Sequence, residues 1–237
     1  MKIVSWNVAG LRAMLKKEEF ENFIINENED YDILCFQEIK AEENQLNLPE
    51  YLSNKYEFKY YNSSKGTTQR KGFSGVSIMS KIEPLLVIKC PEFDEEGRIL
   101  SLVFEKFVLV NVYVPNSQKI YNDRYYFREN WNLKLATYLN ELKQLYGKDL
   151  ILCGDLNVAH LDIDICNPRN KKNKVAGFFD NERKAYNDLL YLIELVDVYR
   201  KLNPSKQKST YWSNFLKAKR NDTFLAIGDN KIRNKIF

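Results

Sequence analysis

The 237-residue sequence contains one histidine, His160. A metal centre built on histidines is thereby excluded, and any bound metal must take oxygen ligands, which selects Mg²⁺ with Mn²⁺ as a substitute. Cysteine is also scarce. Cys35, Cys90, Cys153 and Cys166 are widely spaced, make no CxxC pair and sit mostly inside apolar runs, as buried free thiols do in a reducing compartment. An intracellular protein is expected, nuclear in a eukaryote and cytoplasmic otherwise. No stretch is rich enough in proline, glycine or serine to read as a linker, so residues 1–237 are expected to form a single domain. Apolar runs such as Phe107 to Val114 fall far short of the roughly 20 residues of a membrane span. A strand-like run already begins at Ile3, which leaves no room for a cleaved leader, and no membrane association is expected.

What is present is apolar material for a sizeable core, 44% of residues, which excludes a small peptide scaffold and a disordered tail. The formal charge of +4 is unevenly spread: from Arg200 to Phe237 ten Lys/Arg face two Asp, a local balance of +8 on a slightly acidic body. Such asymmetry suits a polyanionic partner on one face, the plain alternative being a solvated Lys- and Asn-rich segment.

Periodicity divides the chain into a series of elements. Strands are expected at Ile3 to Trp6, Ile33 to Gln37, Phe58 to Tyr61, Val76 to Ser80, Leu85 to Lys89, Arg98 to Glu105, Phe107 to Val114 and Leu150 to Gly154. Helices are expected over Leu11 to Asn26, over Asn122 to Tyr146 with Gly147 as its stop, and over Asn181 to Leu192 with Asp180 as its N-cap. Adjacent strands interrupted by helices argue for sheets covered on their outer faces by helices.

Several apolar strands end in polar residues: Asn7 after IVSW, Glu38 after ILCFQ, Tyr113 and Asn116 in VNVYVPN, Asp155 and Asn157 in LILCGDLN. If the strands lie side by side, these ends form one edge. A carboxylate there holds a hard cation, while neutral Asn and Tyr donors contact phosphate oxygens without neutralising it, a combination suited to metal-assisted phosphodiester hydrolysis. Taken singly, each has an ordinary reading: Asn7 as a helix cap, Glu38 as a solvated loop acid, Asp155 and Asn157 as turn formers after Gly154.

Seven segments in series, SWNVAGLR (Ser5 to Arg12), FQEIKA (Phe36 to Ala41), GFSGVSIMS (Gly72 to Ser80), FDEEGR (Phe93 to Arg98), VNVYVPNS (Val110 to Ser117), GDLNVAHLDIDICNP (Gly154 to Pro168) and AGFFDNER (Ala176 to Arg183), resemble the exonuclease III type of apurinic/apyrimidinic endonuclease. The resemblance runs from Lys2 to about Lys219. It implies a four-layered α/β sandwich, two packed mixed sheets flanked by helices in the deoxyribonuclease I manner. It also implies a monomer that cleaves duplex DNA on the 5′ side of an abasic site with Mg²⁺, with some 3′ exonuclease or 3′-repair activity. On the resemblance, Asn7 and Glu38 belong to the metal site, Glu38 as main ligand. Tyr113 contacts the scissile phosphate, Asp155 positions or deprotonates the attacking water, Asn157 helps stabilise the oxyanion, and Asn116 joins the catalytic set.

The same resemblance makes Asn170, Lys171, Lys172, Asn173 and Lys174 a DNA-contacting loop, joined by Arg124 and Arg128, and likens Thr210 to Phe215 to a segment lining the abasic-sugar pocket, with Tyr211 and Phe215 toward DNA. The sequence also departs from the pattern. Ala9 stands where relatives often carry Asp or Asn near the metal. After Arg220 about five residues of a Gly-Trp-Arg-Ile-Asp-Tyr-Phe-Leu-like run have no counterpart, although Asp222 matches the aspartate that orients a catalytic histidine. The sequence stops at Phe237, before the family's terminal Ser-Asp-His motif and incomplete by that measure, and His160 does not replace that histidine. Two further readings therefore stand beside a DNA repair nuclease: a catalytically impaired DNA-binding relative, and a superfamily phosphohydrolase acting on a phospholipid head group or phosphorylated sugar.

Overall fold

The computed structural model describes all residues except 27–29, 68, 90–91, 209, 214–217, 221–225 and 229–237, and gives the backbone alone for 211–213, 218–220 and 226–228. In chain order the elements are β1 (Ile3–Asn7), α1 (Leu11–Met14), α2 (Glu18–Ile25), β2 (Ile33–Gln37), α3 (Glu50–Ser53), β3 (Phe58–Asn62), β4 (Val76–Ser80), β5 (Leu86–Lys89), β6 (Ile99–Val103) and β7 (Phe107–Tyr113). There follow α4 (Asp123–Tyr146), β8 (Asp149–Asp155), α5 (Pro168–Lys171), α6 (Asp180–Ile193), β9 (Leu195–Asp197), α7 (Val198–Leu202), β10 (Tyr211–Ser213), β11 (Ala218–Arg220) and β12 (Ala226–Gly228). The strands make two mixed sheets flanked by helices, of order β1-β2-β4-β3 and β5-β6-β7-β8-β12-β9, with β10 and β11 as a separate pair.

The described residues form two compact units: 1–113 with 152–154, and 114–151 with 155–228. In the first, β2 and β4 pack face to face on β7, and β3 and β4 on β6. Every residue of β2, β4 and β6 is buried, as strands covered on both faces must be. On the outer face of the four-stranded sheet, Phe20 and Ile24 of α2 and Leu52 of α3 close over Leu34, Phe36 and Met79.

The single helix expected over residues 11–26 is two helices. Leu11 and Phe20 are both buried, yet they lie about two and a half turns apart along a straight helix, on opposite faces. Breaking the helix at Leu15 to Lys17 lets both residues face the same core.

Two fully buried amides bridge the apolar layer between the sheets. Gln37 Nε2 donates to Asn111 Oδ1 (2.7 Å), while Asn111 Nδ2 donates to the carbonyls of Phe36 (3.1 Å) and Ser77 (3.0 Å). Beside β7, Gly154 has φ +134°, and a Cβ there would lie 1.9 Å from the Val112 carbonyl oxygen, so only glycine fits.

In the second unit, α4 packs on α6. Asn122 Oδ1 caps α4 by accepting from Tyr125 N (2.8 Å), and Gly147 closes it in the left-handed region. Asp180, expected as the N-cap of α6, is instead its first helical residue. The capping contact comes from Glu182, whose carboxylate accepts from Phe179 N (3.1 Å), while Asp180 and Asn173 exchange two hydrogen bonds (2.7 and 2.8 Å). Cys35 and Cys153 are buried free thiols, Cys166 is partly exposed, and Cys90 lies outside the described residues.

Asp94, 1% exposed, accepts from the N–H groups of Arg98 and Ile99 (each 2.8 Å) and from Asn62 Nδ2 (3.0 Å). Burial pushes its pKa up to about 6, the two backbone N–H groups offsetting only part of that. A carboxyl raised in the folded state contributes stability that is fully present below its unfolded value, near 4, and is lost as pH rises through about 6. The urea-unfolding free energy of wild type, referenced to Asp94→Asn, is therefore expected to fall by about 2 kcal/mol between pH 4 and pH 7.

Candidate functional site

The first unit gathers one polar group at the ends of β1, β2 and β7. Glu38 follows the last residue of β2 in the left-handed region (φ 52°), and Ala9 and Lys40 are left-handed as well (φ 50° each). Strained backbone of this kind persists only where surrounding contacts fix it. Glu38 Oε1 accepts from Asn7 Nδ2 (2.9 Å), its Oε2 lies 2.7 Å from Lys40 Nζ, and the Tyr113 hydroxyl also bonds its carboxylate. Burial pushes the Glu38 pKa up, but Lys40, Asn7 and Tyr113 outweigh it and hold the carboxyl below its ordinary value. Asn7 is no helix cap. Its Oδ1 accepts from Ala9 N (3.0 Å), which turns the chain after β1 and keeps the side chain facing Glu38.

The donor set fits a hard cation. Glu38 and Asn7 offer only oxygen ligands, and among the described residues no cluster of three or more His, Cys, Asp or Glu adds to them. An ion held by one carboxylate and one amide oxygen keeps several waters, as Mg²⁺ does. Lys40, in FQEIKA, is a functional neighbour that the strand-end reading missed, although a lysine two residues after a candidate ligand is itself a signal.

The second unit gathers a second group after β8. Asp155 is 8% exposed, and its Oδ1 accepts from Asn157 N (3.0 Å) while its carbonyl accepts from Val114 N (2.8 Å). Asn157, left-handed at φ 49°, donates Nδ2 to the Val114 carbonyl (2.9 Å) and accepts at Oδ1 from Asn116 Nδ2 (3.3 Å). That pairing fixes the orientation of the Asn157 amide.

Arg128 belongs to this group as a brace, which corrects its expected place on DNA. It is 3% exposed and donates to the carbonyls of Pro115 (2.5 Å), Leu156 (3.0 Å) and Asn157 (3.5 Å) and to Asn132 Oδ1 (2.9 Å). A guanidinium spent on three carbonyls holds the loops after β7 and β8 and has no face for phosphate. Arg124, half-buried, stacks on Phe127 at 4.4 Å.

The loop after NP is exposed at Asn170, Lys172, Asn173 and Lys174. Within it Lys171 Nζ leans on Cys166 Sγ (3.0 Å), Lys172 pairs with Asp180 (3.4 Å), and Asn173 anchors the start of α6. His160 Nε2 meets Asn187 Oδ1 (2.7 Å), and its ring lies against Tyr186. The Tyr211 side chain, Phe215 and Asp222 lie outside the described residues.

A model of the Endonuclease/Exonuclease/phosphatase family matches residues 4–220. The chain is 40% identical over 216 residues to an exodeoxyribonuclease of Bacillus subtilis, a match covering 90% of this chain and 79% of that protein. It is 38% identical over 252 residues to the DNA repair nuclease APEX1 of Danio rerio, covering 99% of this chain and 77% of that protein. A solved AP endonuclease from Archaeoglobus fulgidus matches with a TM-score of 0.78 at 29% identity, over 94% of this chain and 85% of that one.

Replacing the brace separates structure from ligand contact. Arg128→Met strands several buried carbonyls and is expected to cost about 2–4 kcal/mol in denaturant unfolding. The salt dependence of DNA binding by the folded variant is expected to match wild type.

Proposed function

The chain belongs to the endonuclease/exonuclease/phosphatase family and is a hydrolytic DNA repair nuclease of the apurinic/apyrimidinic endonuclease and exonuclease type, and from that premise we propose that it acts as a monomer, cutting duplex DNA 5′ to abasic sites with Mg²⁺ and also processing 3′ ends. The observation that carries the reading is the Glu38 group: a carboxylate held ionised beside Asn7 and the Tyr113 hydroxyl. Glu38 and Asn7 Oδ1 would hold the ion, which when bound supplies charge neutralisation at the phosphate and the leaving oxygen.

The remaining work falls to side chains. Bonding to Glu38 holds the Tyr113 hydroxyl beside that carboxylate, from which its single O–H would turn to donate to an arriving phosphate oxygen. Asp155, its Oδ1 held by Asn157 N, would orient or deprotonate the attacking water. The Asn157 amide suits a phosphate oxygen that gains charge as the bond breaks, and Asn116 keeps that amide turned the right way. Lys171, Lys172 and Lys174 supply positive charge for the duplex backbone.

The test is cleavage of a duplex carrying one abasic-site analogue, with Mg²⁺ and with chelator, beside a binding titration. Glu38→Ala and Asp155→Ala are each expected to lower cleavage by at least about 10²-fold while the fold stays intact. Equal cleavage by wild type and Glu38→Ala would overturn the metal assignment, and binding without cutting would make the chain a DNA-binding relative. Reversing Lys171, Lys172 and Lys174 to Glu is expected to reduce the log–log salt slope of binding by about 2–3, measured by fluorescence anisotropy.

A further inference from the structure

One buried cation stands behind the site without joining it. Arg98 is 2% exposed, and the site roles assigned so far leave it out. It closes on Tyr113 in three ways. Its carbonyl accepts from Tyr113 N (2.8 Å), its Nη1 donates to the Tyr113 carbonyl (3.0 Å), and its guanidinium carbon lies 4.4 Å from the centre of the Tyr113 ring. The guanidinium is itself fixed, for Nε donates to Glu96 Oε2 at 2.5 Å, and that carboxylate is 3% exposed. Gly97 makes this pairing available. Its left-handed turn (φ 66°) passes so close to Ser63 that a Cβ would lie 2.3 Å from that residue's carbonyl carbon, and it turns Glu96 and Arg98 toward each other. Asp94 holds the Arg98 backbone N–H with both carboxylate oxygens, each at 2.8 Å.

A tyrosine ring ordinarily rotates about two side-chain bonds. Here a planar cation covers one of its faces while hydrogen bonds hold its own peptide units at both ends, so the hydroxyl has one place to be, beside Glu38. Lysine cannot reproduce this, because an ammonium lacks the flat fork that stacks on a ring and donates in two directions at once. We infer that Arg98, locked by Glu96, is a positioning residue that aims the Tyr113 hydroxyl at the scissile phosphate.

The inference rests on the role proposed for Tyr113, and its test separates the two. Arg98→Lys keeps a positive charge beside Glu96. In the abasic-duplex assay it is expected to lower kcat by about 10- to 100-fold with KM within about twofold of wild type, since Arg98 is buried and orients a group that acts in the reacting complex. In a Tyr113→Phe background, with no hydroxyl left to aim, the same change is expected to alter kcat less than about twofold. If Arg98→Lys does not fold, the pair Glu96→Gln with Arg98→Gln, which leaves no charge unpaired, takes its place in both backgrounds. A readout independent of turnover is the aromatic NMR cross-peak of Tyr113, expected to shift and broaden when the stacked cation is lost. Wild-type kcat in the variant, an equal loss in both backgrounds, or an unmoved Tyr113 resonance would each overturn the inference. Should wild type cut nothing, the proposed function falls, and the Tyr113 resonance alone decides the clamp.

Discussion

The hydrogen bond between Gln37 and Asn111 fixes the geometry of the first unit. Hydrophobic contact alone would let β2 and β7 slide, because Cys35, Val76, Ile78 and Leu109, which share the face of the two amides, are apolar in any register. Two amides with no access to water cannot slide. Moving either strand by one residue would set an amide against aliphatic carbon and leave buried polar atoms unmet, at about 1–3 kcal/mol each. Side chains two apart on a strand share a face, so Tyr113 leaves β7 on the same side as Asn111. Glu38 is the next residue after Gln37. The meeting of the Tyr113 hydroxyl with the Glu38 carboxylate is thus a consequence of where the two amides pair.

Around that fixed point the unit accumulates costs that an apolar core would avoid. Arg98, Glu96 and Asp94 are all almost wholly buried, and Ala9, Glu38 and Lys40 hold left-handed backbone. Burial of charge is tolerable only when each charge is bonded, and here the bonds run in sequence: Asp94 to the Arg98 main chain, Glu96 to its guanidinium, and that guanidinium to Tyr113. The second unit uses the same device at Arg128. It brings a buried cation to carbonyls of the loops that carry Asn116, Asp155 and Asn157.

Much of this was legible before any coordinates, for reasons that differ by residue. Strands such as Ile33–Gln37 and Val76–Ser80 fall where the apolar runs place them, because a strand buried on both faces has a continuous signature. Asn122 and Gly147 mark the ends of α4 through local chemistry that needs no partner. The misreadings share one cause: tertiary contact decided between local options of similar merit. Leu11 and Phe20 obey helical spacing separately, and only a common core on one side forces the break between them. Asp180 and Glu182 are both reasonable caps, and Asn173, seven residues earlier in the chain, decides by engaging Asp180. Arg128 sits on a helix where an arginine reads as exposed, and nothing local shows that two loops will fold their carbonyls over it. Lys40 and Arg98 lay inside recognisable segments; Lys40 pairs with Glu38 only two residues before it, whereas the role of Arg98 depends on Tyr113 of another strand.

Gly154 bears on how firmly the site's frame is held. The contact between its α-carbon and the Val112 carbonyl is an exclusion, and overlap of electron clouds does not weaken with ionic strength, pH or dielectric. Ion pairs and hydrogen bonds elsewhere in the frame soften in brine or acid, whereas this one limit behaves like a mechanical stop. Cys153 and Asp155, its chain neighbours, both carry a Cβ and cannot occupy the slot. A β8 shifted by one residue is therefore blocked outright, and the point at which the chain leaves the sheet toward Asp155 is set by shape, independent of the solution around it.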